Sequence, residues 1–180
     1  MKKGKEIRPH IGIFGKRNSG KSSLINALAG QEVSIVSDVA GTTTDPVSKI
    51  MEIGGLGAVV LIDTAGIDDE GMLGEKRISR SRDVIKTIDL AILLITENSL
   101  GDFEFGLIEE FNKLDVSYFI VNNKSDLQSV SAELIVKIES ELQTIVIDFS
   151  SLNKTGIEPL VKQMRSFLPE TAWKPGTLVG

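Results

Sequence analysis

Eight residues near the start of the chain, Gly15-Lys16-Arg17-Asn18-Ser19-Gly20-Lys21-Ser22, fit the pattern G-x-x-x-x-G-K-S. Its glycines let a loop wrap closely round a phosphate, so that backbone N–H groups point inward. An apolar run, Ile11 to Phe14, precedes it, and an amphipathic stretch, Lys21 to Ala29, follows. A helix beginning there adds positive potential at its N-terminus. In this context Asn18, Ser19, Gly20, Lys21, Ser22 and Ser23 are the expected phosphate cradle. Lys21 would bridge the terminal phosphates of a nucleotide, and the Ser22 hydroxyl would ligate magnesium. The bland alternative is a glycine-rich turn that matches by chance.

Further clusters come later in the chain. Asp63-Thr64-Ala65-Gly66 follows the apolar run Ala58 to Ile62. A carboxylate at the C-terminal end of a strand faces the ligand crevice of an α/β sheet. Asp63 is thus a candidate to hold magnesium through a water, and Gly66 offers a backbone N–H to the terminal phosphate. Between the two clusters lies Gly41-Thr42-Thr43-Thr44-Asp45. One of its threonines, with Thr43 the working choice over Thr42 and Thr44, could close over the metal. Asn123-Lys124-Ser125-Asp126 follows Val116 to Val121. The Asp126 carboxylate can accept from the N1–H and exocyclic amine of guanine. Adenine has no such donor pair and would leave the carboxylate unpaired, at a cost. Asn123 would donate to N7 and tie its loop to the phosphate cradle, and the Lys124 stem can cover the base. Ser150-Ser151-Leu152 follows the last apolar run, where the Ser151 N–H could meet the guanine carbonyl oxygen.

The elements that position these clusters alternate in type. Ile11 to Phe14, Ala58 to Ile62, Leu90 to Ile95, Val116 to Val121 and Thr144 to Ile147 read as strands. Between them, Lys21 to Ala29, Leu73 to Lys86, Phe103 to Leu114, Ala132 to Leu142 and Ile157 to Leu168 have helical periodicity. Such alternation builds a largely parallel sheet with helices on both faces. Val47 to Ile53 alternates as an edge strand and joins Ala58 through Gly54-Gly55-Leu56-Gly57, a hairpin signal. The expectation is an α/β three-layer fold with six strands, one of them antiparallel. Gly30 to Pro46 and Ile67 to Gly74 resist assignment and read as loops.

Composition narrows the chemistry. The 180 residues make one domain at roughly 150 residues per domain. The chain has no cysteine and one histidine, so thiolate zinc, iron–sulfur ligation and cysteine nucleophiles are excluded within it. Any metal must use oxygen ligands. The net charge of −5 argues against a nucleic-acid-coating surface, and no nucleic-acid partner is expected. No apolar run reaches the roughly 18 residues a membrane helix needs, and no secretory signal opens the chain. A cytoplasmic protein is the expectation, with residues 1–168 as the binding domain and 169–180 as a linker.

The four clusters, in this order and after these strands, resemble the G domain of the Ras-like translation-factor superfamily, over Ile11 to Leu168. This is the three-layer P-loop NTPase fold. Asn18-Ser19-Gly20-Lys21-Ser22-Ser23-Leu24-Ile25-Asn26 and Gly41-Thr42-Thr43 are similar to the Era/MnmE-like branch. Many members have arginine where this chain has Thr44. Three longer runs resemble the HydF family, the GTPases of FeFe-hydrogenase maturation: Ile11 to Ser23, Val36 to Val47 and Ile62 to Gly71.

The resemblance implies GTP and GDP as ligands, slow GTP hydrolysis with magnesium, and potassium held beside the phosphates by Asn18. It implies hydrogenase-maturation proteins as partners, a transient dimer of G domains, and an iron–sulfur domain beyond this chain. Ras-type enzymes orient water with glutamine after the D-x-x-G glycine, where this chain has Ile67. Glu75, twelve residues after Asp63, is similar in spacing to the catalytic glutamate of MnmE. Glu70, Asp68 and Asp69 compete with it, and a solvated helix-start carboxylate is the plain alternative. The catalytic set implied is Lys21, Thr43, Gly66 and Glu75, and the metal set Ser22, Thr43, Asp63 and Asn18.

Overall fold

The computed structural model describes residues 8–29, 47–64 and 74–168. In chain order the elements are β1 (His10–Gly15), α1 (Lys21–Ala29), β2 (Val47–Ile53), β3 (Gly57–Asp63), α2 (Gly74–Ile85), β4 (Leu90–Ile95), α3 (Asp102–Lys113), β5 (Ser117–Asn122), α4 (Ala132–Lys137), β6 (Val146–Asp148) and α5 (Ile157–Phe167). The six strands form one sheet in the order β2-β3-β1-β4-β5-β6. Only β2 and β3 pair antiparallel, through the glycine-rich hairpin, and the other pairs are parallel.

Strand alternation sorts the core into two layers. Ile11, Ile13, Leu90, Ile92, Leu94, Phe119 and Val121 face α1 and α5, where Leu24, Leu28, Leu160 and Met164 meet them. Ala91, Leu93, Ile95, Tyr118 and Ile120 face the opposite way, against Val84, Ile85, Leu107, Ile108, Phe111 and Ile138. The central strand β4, Leu-Ala-Ile-Leu-Leu-Ile, is buried throughout. Such a continuous apolar run is what a parallel strand covered on both faces requires.

The elements follow the sequence pattern with small shifts. Strand β1 starts at His10, whose N–H donates to Asp89 Oδ2 at 2.8 Å. Strand β5 begins one residue later than its apolar run, because Val116 N closes the turn from α3 onto Phe111 O. Strand β6 keeps three residues, Val146–Asp148, and just before it the Thr144 hydroxyl donates to Tyr118 O and Ile145 O accepts from Ile120 N. The stretch from Ala132 to Leu142 is not one α-helix. It widens from α4 into a π-helical turn, Ile138–Leu142, that ends on left-handed Gln143. The π turn carries Ile138 into the core, fully buried.

Helices α2 and α3 are joined by an ion pair. Arg82 Nε donates to Glu110 Oε1 at 2.7 Å, and Glu110 is 5% exposed. The hydrogen bond from Arg82 holds the Glu110 carboxyl below the usual carboxylate range, against the opposing effect of burial. A depressed carboxyl adds stability that is present above the unfolded-state value and lost as pH falls through the folded value. Glu110→Gln should therefore lower Tm by about 3 °C near neutral pH. The gap to the wild type should close on acidification below the ordinary carboxylate range, read by thermal unfolding at several pH values.

Candidate functional site

The strand order reverses around β1, with β3 on one side and β4 on the other. In open α/β sheets ligands bind outside the carboxyl ends of strands at such a switch point. The loop from Gly15 to Gly20 leaves β1 there and runs directly into α1. Asn18 and Gly20 both have positive φ, 68° and 97°. These conformations turn the loop back on itself and leave Ser19 buried and Lys16, Arg17 and Asn18 exposed. Lys21 is 6% exposed, and its Nζ donates to Gly15 O at 2.7 Å and to Lys16 O at 3.1 Å. The lysine thus arches over the loop it follows.

Asp63 ends β3, level with Ile13 of β1 in the ladder. The Ser22 hydroxyl at the start of α1 points to Asp63 Oδ2 at 3.5 Å. The two oxygen-bearing side chains therefore converge, a donor set suited to a hard cation such as magnesium. Thr64 anchors the strand end, its hydroxyl donating to Ile13 O at 2.8 Å in a buried setting.

The second loop cluster is locked to the first. Asn123 is 1% exposed, and its Nδ2 donates to Ser19 O at 2.9 Å across 104 residues of sequence. Lys124, at φ 60°, reaches Asn18 O with its Nζ at 3.0 Å. Asn123 N is in turn fixed on Ile95 O at 2.8 Å. Buried Asn122 braces the same loop, its Nδ2 donating to Gln128 O and to Asp148 Oδ1, each at 2.9 Å. Behind these ties lies a cavity of about 660 Å³, whose walls include Gly20, Asn123, Lys124, Asp126, Ser151 and Leu152. Asp126 is exposed at its rim. A second cavity of about 540 Å³ shares Gly20, Ser23 and Lys124 with it and extends over Asn18, Lys21 and Ser22.

The Ser150 cluster divides its work differently from the sequence expectation. The Ser150 hydroxyl has protein partners on both sides. It donates to Asp126 Oδ1 at 2.6 Å and accepts from Asn153 N at 3.1 Å. The Ser150 backbone N–H is taken by Thr155 O. Ser150 is thus a positioning residue for Asp126, while Ser151 and Leu152 line the cavity. Thr64, Asn122 and Asp148 are supports that the sequence reading missed. Their signal was their place beside the clusters, since a polar residue ending an apolar strand needs a partner inside.

The structure brings Asn18, Ser19, Gly20, Lys21, Ser22, Ser23 and Asp63 together on one side, and Asn123, Lys124, Asp126, Ser150, Ser151 and Leu152 on the other. Glu75 sits in the first turn of α2 and is exposed, with no bond to either side among the described residues. Thr43 and Gly66 lie outside the described residues, as do the loops that hold them and residues 169–180.

Gly20 is where the two clusters come closest. A Cβ there would stand 2.1 Å from Asn123 Nδ2, at a φ that L side chains avoid. Gly20→Ala should cost ~2 kcal/mol or more in unfolding free energy. It should also raise hydrogen exchange in the Asn123 loop, read by mass spectrometry.

Residues 10–179 match the family described as 50S ribosome-binding GTPase. GTPase Der of Wolinella succinogenes is 43% identical over 69% of this chain and 27% of its own length. GTPase Era of Alkaliphilus metalliredigens is 29% identical over 89% and 56%. The tRNA modification GTPase MnmE of Bacillus velezensis is 32% identical over 97% and 38%. The chain therefore spans about a quarter to just over half of these relatives. Among solved structures, Aquifex aeolicus Era bound to GDP and AlF4⁻ superposes with a TM-score of 0.69 at 28% identity, over 90% of this chain and 57% of that one. Era with MgGDPNP and a 16S ribosomal RNA fragment gives 0.70 at 27%, over the same shares. That second complex contains RNA, which weighs against the expectation that nucleic acid plays no part. This chain belongs to the 50S ribosome-binding GTPase family, as a G domain of the Era/Der/MnmE type.

Proposed function

We propose that the chain binds GTP and GDP across the two joined cavities and hydrolyses GTP slowly. The observation that carries this reading is the double tie from Asn123 and Lys124 to the loop Gly15–Gly20. It sets the base-reading carboxylate, Asp126, at a fixed distance from the phosphate cradle. Asp126, aimed by Ser150, accepts from guanine N1–H and its exocyclic amine. Ser151 and Leu152 flank the base. Lys21 is poised to trade its two carbonyl partners for the β- and γ-phosphates. Ser22 and Asp63 would hold magnesium, which supplies charge neutralisation at the phosphates.

In the reaction a water oxygen bonds to the γ-phosphorus as the bond from that phosphorus to the β–γ bridging oxygen breaks. The electron pair stays on the bridging oxygen of GDP, and both water protons leave with inorganic phosphate as H2PO4⁻, which can release one to solvent. Thr43 and Gly66 complete the phosphate side in this reading. Glu75 is the proposed water-orienting carboxylate, although its place on α2 is equally that of a solvated first-turn acid. With Ile67 where a water-orienting glutamine would stand, turnover without help is on the order of 10⁻⁴ to 10⁻² per second. Asn18, a neutral oxygen donor on the wall of the phosphate cavity, fits a monovalent cation, and potassium is the proposed activator.

The proposed role is a switch in FeFe-hydrogenase maturation, with maturation proteins and an iron–sulfur domain as partners and transient pairing of G domains. It rests on three sequence runs similar to HydF: Ile11 to Ser23, Val36 to Val47 and Ile62 to Gly71. The identities to MnmE and Era favour a second client, tRNA modification or ribosome assembly.

The hydrolysis reading is tested by GTP turnover with magnesium in potassium chloride and in sodium chloride at equal ionic strength. At least about tenfold stimulation by potassium is expected, the size of one good charge contact in a transition state. Equal rates in the two salts would remove Asn18 from the catalytic account. No turnover in either would leave a switch that only binds.

A further inference from the structure

The connection from β4 to α3 reaches both halves of the site, although none of its residues belongs to the nucleotide clusters. Where β4 ends, Ile95 O accepts from Asn123 N at 2.8 Å and fixes the entrance of the base loop. Asn98, in the turn that follows, fixes its exit. The Asn98 Oδ1 accepts from Ser131 N at 2.9 Å, and its Nδ2 donates to Ser129 O at 3.3 Å. Beyond Asn98 the same connection enters α3, where Gly101 N donates to Glu104 Oε1 at 2.8 Å. The other oxygen of this buried carboxylate, Oε2, lies 3.9 Å from Lys16 Nζ in the phosphate loop. The turn itself is specialised. Glu97 and Asn98 both have positive φ, 54° and 56°, and Ser99 N closes the turn on Thr96 O at 2.9 Å. Asparagine is among the few residues that tolerate this conformation.

We infer that Asn98 is a positioning residue for base selection: by pinning Ser129 and Ser131 it holds the loop that presents Asp126 where its carboxylate meets both donors of guanine. The inference rests on the GTP reading above and adds to it a residue outside the four clusters. Asp126 lies between the two pinned ends of the loop and takes its own aim from Ser150. Asn122 and Asp148 hold the middle of the exit, at Gln128 O and Val130 N. Asn98 holds its last step, at Ser131, the N-cap residue of α4. Without that hold, the exit can shift with the start of the helix, and Asp126 shifts with it. Accepting from N1–H and from the exocyclic amine together demands one setting of the carboxylate. A hydrogen bond weakens steeply once its angle opens, so the second of the two is lost first.

The test compares GDP with inosine diphosphate, whose base keeps N1–H and lacks the exocyclic amine, by calorimetric titration in magnesium buffer. Wild type should prefer GDP by about tenfold or more, the value of one hydrogen bond to a charged acceptor. Asn98→Gly removes the side chain without straining the left-handed turn, and should reduce that preference by about threefold or more. Asn98→Asp keeps the acceptor for Ser131 N and should retain most of it. A role in folding alone would weaken both nucleotides equally and leave their ratio unchanged. In the free wild type, the Ser131 amide should exchange slowly with deuterium, a reading that needs no variant to fold. An unchanged ratio in Asn98→Gly, an Asn98→Asp variant no better than Asn98→Gly, or fast exchange at Ser131 would overturn the inference and leave nucleotide binding standing. A wild type that binds neither nucleotide, or binds both equally, would overturn the base reading beneath it as well.

Discussion

A single buried amide holds the site in register. Asn123 Nδ2 donates to Ser19 O at 2.9 Å, and the side chain is almost wholly out of water. Leaving either partner without the other would strand a polar group in the interior, which costs ~1–3 kcal/mol. The bond closes only if β1, β4 and β5 lie side by side in the observed register. It also requires that residue 20 carry no side chain, since a Cβ there would collide with the same amide. Fold, loop conformation and residue choice thus meet at one contact.

From that contact the rest of the site can be traced outward. Toward the phosphate side, the φ values of Asn18 and Gly20 bend the loop so that Lys21 covers it and Ser22 faces Asp63. Toward the base side, Asn122 and Asp148 fasten the strand ends, and Ser150 directs Asp126. Apart from the local bond of Lys21 to Gly15 O, the hydrogen bonds among these supports join segments far apart in sequence. A rigid scaffold of this kind spends ordering entropy in folding and not in binding, which favours affinity for a small charged ligand.

Much of this was legible in the sequence. The buried run Leu90 to Ile95 announced a central parallel strand, and Gly54 to Gly57 announced the antiparallel hairpin. The phosphate and base clusters stood out because each follows an apolar run, where a sheet places its ligand crevice. What escaped was non-local pairing of common side chains. Ser150 looked like a ligand residue and is a support for Asp126, because nothing in a Ser-Ser-Leu triplet shows which hydroxyl faces inward. Glu104 and Glu110 sit at buried positions of α3 and break its apolar stripe. Their reasons, Lys16 and Arg82, lie on other elements. The π turn at Ile138–Leu142 follows from core filling by Ile138, a tertiary demand that helical periodicity does not register.

The proposed function rests on base selection by a loop tied to the phosphate cradle. The most direct measurement is a calorimetric titration of the wild type and Asp126→Asn with GDP, ADP and xanthosine diphosphate, in magnesium buffer. Wild type should prefer GDP over ADP by about 10³-fold or more, as a site built around a donor pair should. Asp126→Asn should move the preference to xanthosine diphosphate. Comparable binding of GDP and ADP, or unchanged GDP affinity in Asp126→Asn, would contradict it.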